Sequence, residues 1–243
     1  MDASNGTKTA IVTGAGSGVG RDLAFLLAEE GVAVVMVART EAKLREAEAY
    51  IREEVGPEAA VEVSPCDVSD SGAVRALVDG VAERHGSVDY LANVAGAAPI
   101  QPIARIEDDA LRANLAVNFE SVVYTTRACW PYFKKQKSGA VCNVSSMAAF
   151  DPFRGFNMYG AAKAAVNLFT KATSDEGASI GVRAAAVAPG AIETPMLREN
   201  FSVKAIPEAN TLDPLDVAAV IRDVLLGRRE VSPGETIQMP SPH

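Results

Sequence analysis

The chain predicts an α/β fold in which one parallel sheet of about seven strands is doubly wound, with helices on both faces. Three observations carry this. Apolar runs of strand length alternate with segments of helical period along the whole chain. Such alternation belongs to strand–helix–strand units, whose crossovers make the strands parallel and cover both faces of the sheet. No composition shift, linker or internal repeat interrupts the series, so residues 1–243 read as a single domain.

The elements follow in order. TAIVT (9–13) is a short apolar run that ends in glycines, as a buried strand does. Residues 18–30 place Val19, Leu23, Leu26 and Leu27 at a helical period. VAVVMV (32–37) is a second buried strand, and 41–54 is an exposed helix laced with charge. Strand and helix alternate again at 61–64 and 71–84, and a strand follows at 88–93. A long helix is predicted over 108–135, with Pro131 kinking it or marking its last turns. Then come a strand at 140–144, a helix at 158–174, a strand at 182–188, a helix at 214–226 and a final strand near 235–238. Residues 195–213 have no clear period and many breakers, which predicts a loop or short helices acting as a lid.

Composition narrows the function. Hydrophobic residues at 48% and charged residues at 22% describe an ordinary globular protein, and a net charge of −8 disfavours nucleic acid and anionic membranes as partners. Any phosphate-bearing ligand must therefore meet a local cationic site. Cys66, Cys129 and Cys142 are odd in number and lack metal-ligand spacing, so no metal is expected and reduced thiols in a cytoplasmic setting are. The opening MDASNGTK has no apolar targeting core, and no run is long enough to span a membrane.

Two motifs carry chemistry. Thr13-Gly14-Ala15-Gly16-Ser17-Gly18-Val19-Gly20 joins the first strand to the first helix. Glycines there permit a tight turn and let backbone N–H groups approach a pyrophosphate, while the helix N-terminus adds partial positive charge. MYGAAK places Tyr159 and Lys163 four residues apart, hence on one face of a helix. A cation held against a phenol favours the phenolate and moves its pKa from about 10 toward the working range. Alone, each motif has a bland reading, an ordinary turn or a shared helix face.

Together they resemble the short-chain dehydrogenase/reductase family, over about residues 7–238, which implies a Rossmann fold and a nicotinamide cofactor. The resemblance extends to a serine thirteen residues before the tyrosine, Ser146, with neighbouring Ser145 a competitor that spacing disfavours. It extends also to an asparagine in the long helix, Asn118. By resemblance Tyr159 exchanges a proton with the substrate oxygen and Ser146 fixes that oxygen. Lys163 favours the ionised phenol and binds the nicotinamide ribose, and Asn118 holds a water that links Lys163 to solvent. Asp67 and Val68 resemble the adenine-binding pair, although Asp67 could instead cap the next helix. Asn93-Val94-Ala95-Gly96 resembles Asn-Asn-Ala-Gly with Val94 replacing the second asparagine. Pro189, Gly190, Ile192 and Thr194 resemble the segment that closes over the nicotinamide. Ala185 stands where an asparagine is usual and SPGETIQMPSPH lacks a Gly-Gly ending, departures expected to lie away from the reaction.

Cofactor choice turns on the end of the second strand, which meets the adenosine ribose. A carboxylate there selects NAD; here Ala38 takes that position and Arg39 follows, which favours NADP(H) over NAD(H), although Ser17 stands where a second basic residue is common. The expected activity is hydride transfer between NADP(H) and a ketone or secondary alcohol, in a homodimer or homotetramer packed through the helices at 108–135 and 158–174. The alternatives are a cofactor-binding regulatory protein without turnover and an epimerase with a transient ketone. Residues 148–158 and the lid should line the substrate pocket, with Phe150, Phe153, Phe156 and Met158 apolar and Arg154 either steering an anion or solvated.

Overall fold

A computed structural model of the protein describes residues 7–242. The opening MDASNG and the last histidine lie outside the described residues, and with them most of the segment read above for targeting. The fold is Rossmann-like. Seven strands form one parallel sheet in the order β3-β2-β1-β4-β5-β6-β7. They are β1 (Thr9–Thr13), β2 (Ala33–Ala38), β3 (Val61–Pro65), β4 (Tyr90–Asn93), β5 (Gly139–Val144), β6 (Val182–Pro189) and β7 (Thr236–Met239). The strands are apolar on both faces because both are covered. Helices α1 (Gly18–Glu29), α2 (Glu41–Val55) and α8 (Pro214–Leu225) bury Leu23, Leu27, Leu44, Ile51 and Ile221 in one core layer. Helix α3 (Ser71–His85) buries Val74, Val78 and Val81, and Cys129 and Phe133 join them in the opposite layer.

One departure from the predicted elements matters for the site. The long helix is three pieces, α4 (Asp108–Leu115), a π-helical turn (Ala116–Glu120) and α5 (Ser121–Gln136), with Asn118 in the wide turn. Such turns insert one extra residue per turn and re-aim the side chains within them. Pro131 lies inside α5 without ending it. Residues 195–213 hold short helices, as expected: α7 (Pro195–Asn200) is capped by Thr194, whose Oγ1 accepts from the N–H of Leu197.

Register brings the strand ends level. Thr13 pairs with Val37, Asn93 with Asn143, and Val144 with Val187. Strand order reverses between β1 and β4, so a crevice opens beyond their carboxyl ends, where ligands of such sheets bind. Helix α6 (Asn157–Gly177) lies over β6 and carries Tyr159 and Lys163 to that edge. Among the described residues no helix is long and apolar enough to cross a membrane, and no group of three His, Cys, Asp or Glu stands together to hold a metal.

Candidate active site

A cleft of about 340 Å³ runs along the carboxyl edge of the sheet, the size of sites that hold small molecules. Of the residues expected to act on the cofactor or in catalysis, all line it except Thr13, Asn93 and Asn118, which are buried beside it. Thr13 Oγ1 accepts from the N–H groups of Val94 and Ala95 at 3.0 and 3.1 Å and so ties the ends of β1 and β4 together. Asn93 donates to Asn143 and accepts from Thr125, at 2.8 and 2.7 Å. Both are fully engaged within the protein, because a buried polar group must find such partners. They shape the floor of the cleft.

The glycine turn fits a dinucleotide. Gly14 and Gly18 have φ of 71° and 51°, the left-handed region that favours glycine. A Cβ at Gly20 would lie 2.3 Å from the carbonyl oxygen of Gly14, so glycine alone lets α1 start this close to the turn. Ser17, the N-cap of α1, is exposed and makes no capping bond, which leaves the helix N-terminus open to an anion. Arg39 and Lys43 border the same end of the cleft, and among the described residues neither forms an ion pair. Lys43 was not picked out from the sequence. Its signal was there: it sits in the first turn of α2, where the helix dipole disfavours a cation. Asp67 faces the cleft but accepts from the Ser69 hydroxyl and N–H, which hold its pKa down; the cap of α3 is Asp70.

At the opposite end stand Ser146, Tyr159 and Lys163. Strand alternation separates the two serines: Ser145 is buried and its Oγ donates to the carbonyl oxygen of Lys163 at 3.1 Å, while Ser146 faces the cleft and Tyr159. Lys163 is 2% exposed, donates from Nζ to the carbonyl oxygen of Val144 at 2.8 Å, and lies 5.7 Å from the centre of the Tyr159 ring. Burial lowers its pKa to about 8. Burial also raises the pKa of Tyr159, against a smaller pull from the Ser146 hydroxyl. The expected lowering of the phenol by Lys163 is therefore not seen: desolvation by burial is the larger influence and raises it. The phenol rests protonated.

Asn118 is fully buried, and its two amide hydrogens donate to the carbonyl oxygens of Ala97 and Asn114 while Oδ1 accepts from the N–H of Ala97. Only one lone pair of Oδ1 and the main chain are left for the expected water. A Cβ at Gly96 would stand 2.9 Å from Asn118 Oδ1 and 3.5 Å from Lys163 Nζ, so this glycine keeps the gap between them open.

Other expectations change. Met158 is buried in the core, and Phe150 is exposed off the cleft, so only Phe153 and Phe156 of the four apolar candidates line it. Arg154 is exposed and does not line it either. Ala185 packs inside the sheet, but the C-terminal departure is not remote. Ser241 Oγ accepts from the N–H of Ala191 at 2.6 Å and lies against Gly190, which anchors the segment bordering the nicotinamide end.

Residues 8–205 match the family model described as short chain dehydrogenase. The chain belongs to the short-chain dehydrogenase/reductase family. It is 34% identical over 212 residues to an uncharacterized oxidoreductase of Staphylococcus saprophyticus, covering 87% of this chain and 88% of that one. An uncharacterized oxidoreductase of Staphylococcus aureus is 30% identical, over 96% and 97%. Among solved structures, levodione reductase superposes with a TM-score of 0.89 at 27% identity, covering 97% of each chain. Actinorhodin polyketide ketoreductase with NADPH gives 0.89 at 27%, over 99% of this chain and 98% of that one. As a member of this family the protein is an oxidoreductase with a dinucleotide-binding fold.

Proposed function

We propose that the protein is an NADP(H)-dependent oxidoreductase that interconverts a ketone and its secondary alcohol, with Tyr159 carrying the proton. The observation that supports this most is the pairing of two ends of one cleft: a glycine turn with two unpaired cations at one, and at the other Tyr159 and Ser146 facing the cleft with Lys163 buried behind them. The likeness to a ketoreductase that binds NADPH points the same way. The cofactor, when bound, supplies or takes the hydride.

The chain's own residues do the rest. Gly14, Gly16 and Gly18 admit the pyrophosphate to the open N-terminus of α1. Arg39 and Lys43 take the 2′-phosphate, and Ala38 offers no carboxylate to repel it. Ser146 donates to the substrate oxygen and holds it beside the phenol. The Tyr159 hydroxyl, protonated at rest, gives its proton to that oxygen as negative charge develops there. Lys163, positively charged below about pH 8, then stabilises the phenolate. Asn118 and Gly96 shape the path by which the proton returns. Subunits pair through α5 and α6, where Leu168 is 71% exposed and Phe169 meets Phe119 edge-on.

Tyr159→Phe is the test. It removes the proton carrier and keeps the ring, so kcat should fall by ~10²–10⁴-fold while NADPH binding stays within about twofold. Retention of more than about a tenth of wild-type kcat would sink the assignment. Normal cofactor binding with no turnover of any ketone or alcohol would favour the regulatory alternative.

A further inference from the structure

The two ends of the cleft differ in chemistry. Four charged side chains line it: Arg39, Lys43 and Asp67 stand at the adenosine end, and Lys163 is buried behind the phenol. Past Tyr159 there is none among the described residues. The wall there is Met147, Ala148, Phe153, Phe156, Phe201 and Ile206, with a single polar side chain, Asn200. Asn200 spends both amide hydrogens on the carbonyl oxygens of Ala98 and Met196, each at 3.1 Å, and keeps only its oxygen for a ligand.

The aromatic rings form a continuous wall that starts at the phenol. Phe156 lies 5.5 Å from Tyr159 between ring centres, 6.0 Å from Phe201 and 6.3 Å from Phe153, with the last two edge-on. Phe153 is nonetheless 69% exposed and Met196 37% exposed, although both border the cleft. Their apolar faces lack a cover. The surrounding rim is similar. Of the ten large hydrophobic side chains exposed among the described residues, Ile100, Ile103, Phe150, Phe153, Met196 and Val203 fall in three segments, 98–106, 147–156 and 195–206. Those segments are bound to one another at the mouth: the N–H of Gln101 donates to Gly155 O at 3.0 Å, Asn157 to Gln101 O at 2.8 Å, and Asn200 to Ala98 O.

We infer that the substrate is an uncharged ketone, or its alcohol, whose carbonyl carries an apolar, ring-bearing body. This inference rests on the oxidoreductase reading and says what that site accepts. Such a body covers the exposed faces of Phe153 and Met196, and its ring meets Phe156 and Phe201 in the edge-on geometry aromatic pairs prefer. A keto acid would leave its carboxylate in this end of the cleft with no cation. A sugar-like ketone would bring several hydroxyls to a wall that offers one amide oxygen beyond the acid/base group. Polar groups desolvated without partners bind poorly. One hydrogen-bond donor on the substrate body, directed at Asn200 Oδ1, is the only polar feature the wall can match.

Three small ketones separate the possibilities: benzylacetone (apolar, ring-bearing), levulinate (charged) and dihydroxyacetone (polar). Each is titrated by calorimetry into NADP⁺-loaded protein and assayed separately for NADPH-dependent turnover. Benzylacetone should bind about tenfold or more tighter than the other two and give the highest kcat/KM. Phe153→Asp, at an exposed position, should weaken benzylacetone binding about tenfold while leaving the Kd for NADPH unchanged. Tighter binding or faster turnover of levulinate or dihydroxyacetone would overturn the inference, as would failure of benzylacetone to bind. Binding of benzylacetone without reduction would support this substrate class and instead count against the proposed reaction.

Discussion

Lys163 makes the protein's stability depend on pH in a way that one substitution can isolate. Its ammonium is buried without a carboxylate, held only by the Val144 carbonyl, and burial lowers its pKa from 10.5 to about 8. Each tenfold change in ionisation corresponds to about 1.4 kcal/mol, so keeping the ammonium folded at pH 7 costs about 3 kcal/mol relative to the unfolded chain. The sign follows from the protons bound. Below about pH 8 the lysine is charged in both states and the full penalty applies. Between about pH 8 and 10.5 the folded state loses its proton while the unfolded state keeps it, so stability rises with pH and the penalty fades. From pH 7 to about pH 9.5 this group alone should stabilise the fold by about 2 kcal/mol. Lys163→Met removes the titration and keeps most of the side-chain volume. Urea unfolding of both proteins without cofactor, at both pH values, gives the difference of differences. That comparison cancels every other titrating group and the pH-independent loss of the bond to Val144. Wild type should gain about 2 kcal/mol on the variant over the interval, or roughly 4–8 °C in Tm for a chain of this size. If the two move in parallel within about 0.5 kcal/mol, the ammonium is not desolvated as described, and its electrostatic role beside Tyr159 loses its basis.

Three further outcomes are expected. Wild type should prefer NADPH over NADH by about ten- to a hundredfold in kcat/KM, from charged hydrogen bonds of about 1.5–3 kcal/mol; Ala38→Asp/Arg39→Leu should abolish or reverse that preference, and Lys43→Ala should raise the Kd for NADPH but not for NADH. An unchanged ratio in the double mutant would remove Arg39 from its role, and an unchanged Kd would do the same for Lys43. Gly20→Ala should lower stability by about 1–3 kcal/mol in denaturant unfolding, because its methyl would meet the Gly14 carbonyl at 2.3 Å; a neutral effect would mean the turn can relax. Light scattering at micromolar concentration should give a dimer or tetramer, and a monodisperse monomer would contradict pairing through α5 and α6.

The strand–helix order was legible because each buried strand is a short apolar run with breakers at its ends, and tertiary packing agrees with that pattern throughout. Depth was not legible. Thr13 and Asn93 stand at the right places along the chain, yet their side chains turn into the sheet, since spacing gives position along a strand and not which layer meets solvent. The same limit hid the π-helical turn. Asn114, Asn118, Ser121 and Thr125 keep an ordinary helical stripe of buried polar residues, so periodicity passes through Asn118 unbroken although the backbone widens there. Spacing to Tyr159 already favoured Ser146 over Ser145, and the structure agrees, with the Ser145 hydroxyl turned to the carbonyl oxygen of Lys163. The resting state of Tyr159 needed the structure outright: the phenol and the ammonium can be read from MYGAAK, but the desolvation that raises the phenol's pKa comes from residues far apart in the chain.

The segment expected to act as a lid is already folded upon itself. Arg198 grips the Glu193 carboxylate and donates to the carbonyl oxygen of Ile206 at 2.8 Å, while Ile192 and Leu212 form a bridge where the segment leaves and rejoins the body. An unstructured flap would have to surrender the freedom of each residue as it closed, at about 1–2 kcal/mol apiece for the backbone. A flap preassembled in this way gives up little beyond the freedom of its two hinges. If this segment closes over a ligand, closure would move a finished part rather than fold a loose one, and its enthalpy and entropy should both be modest. Its opening should likewise be one concerted event rather than a gradual unravelling.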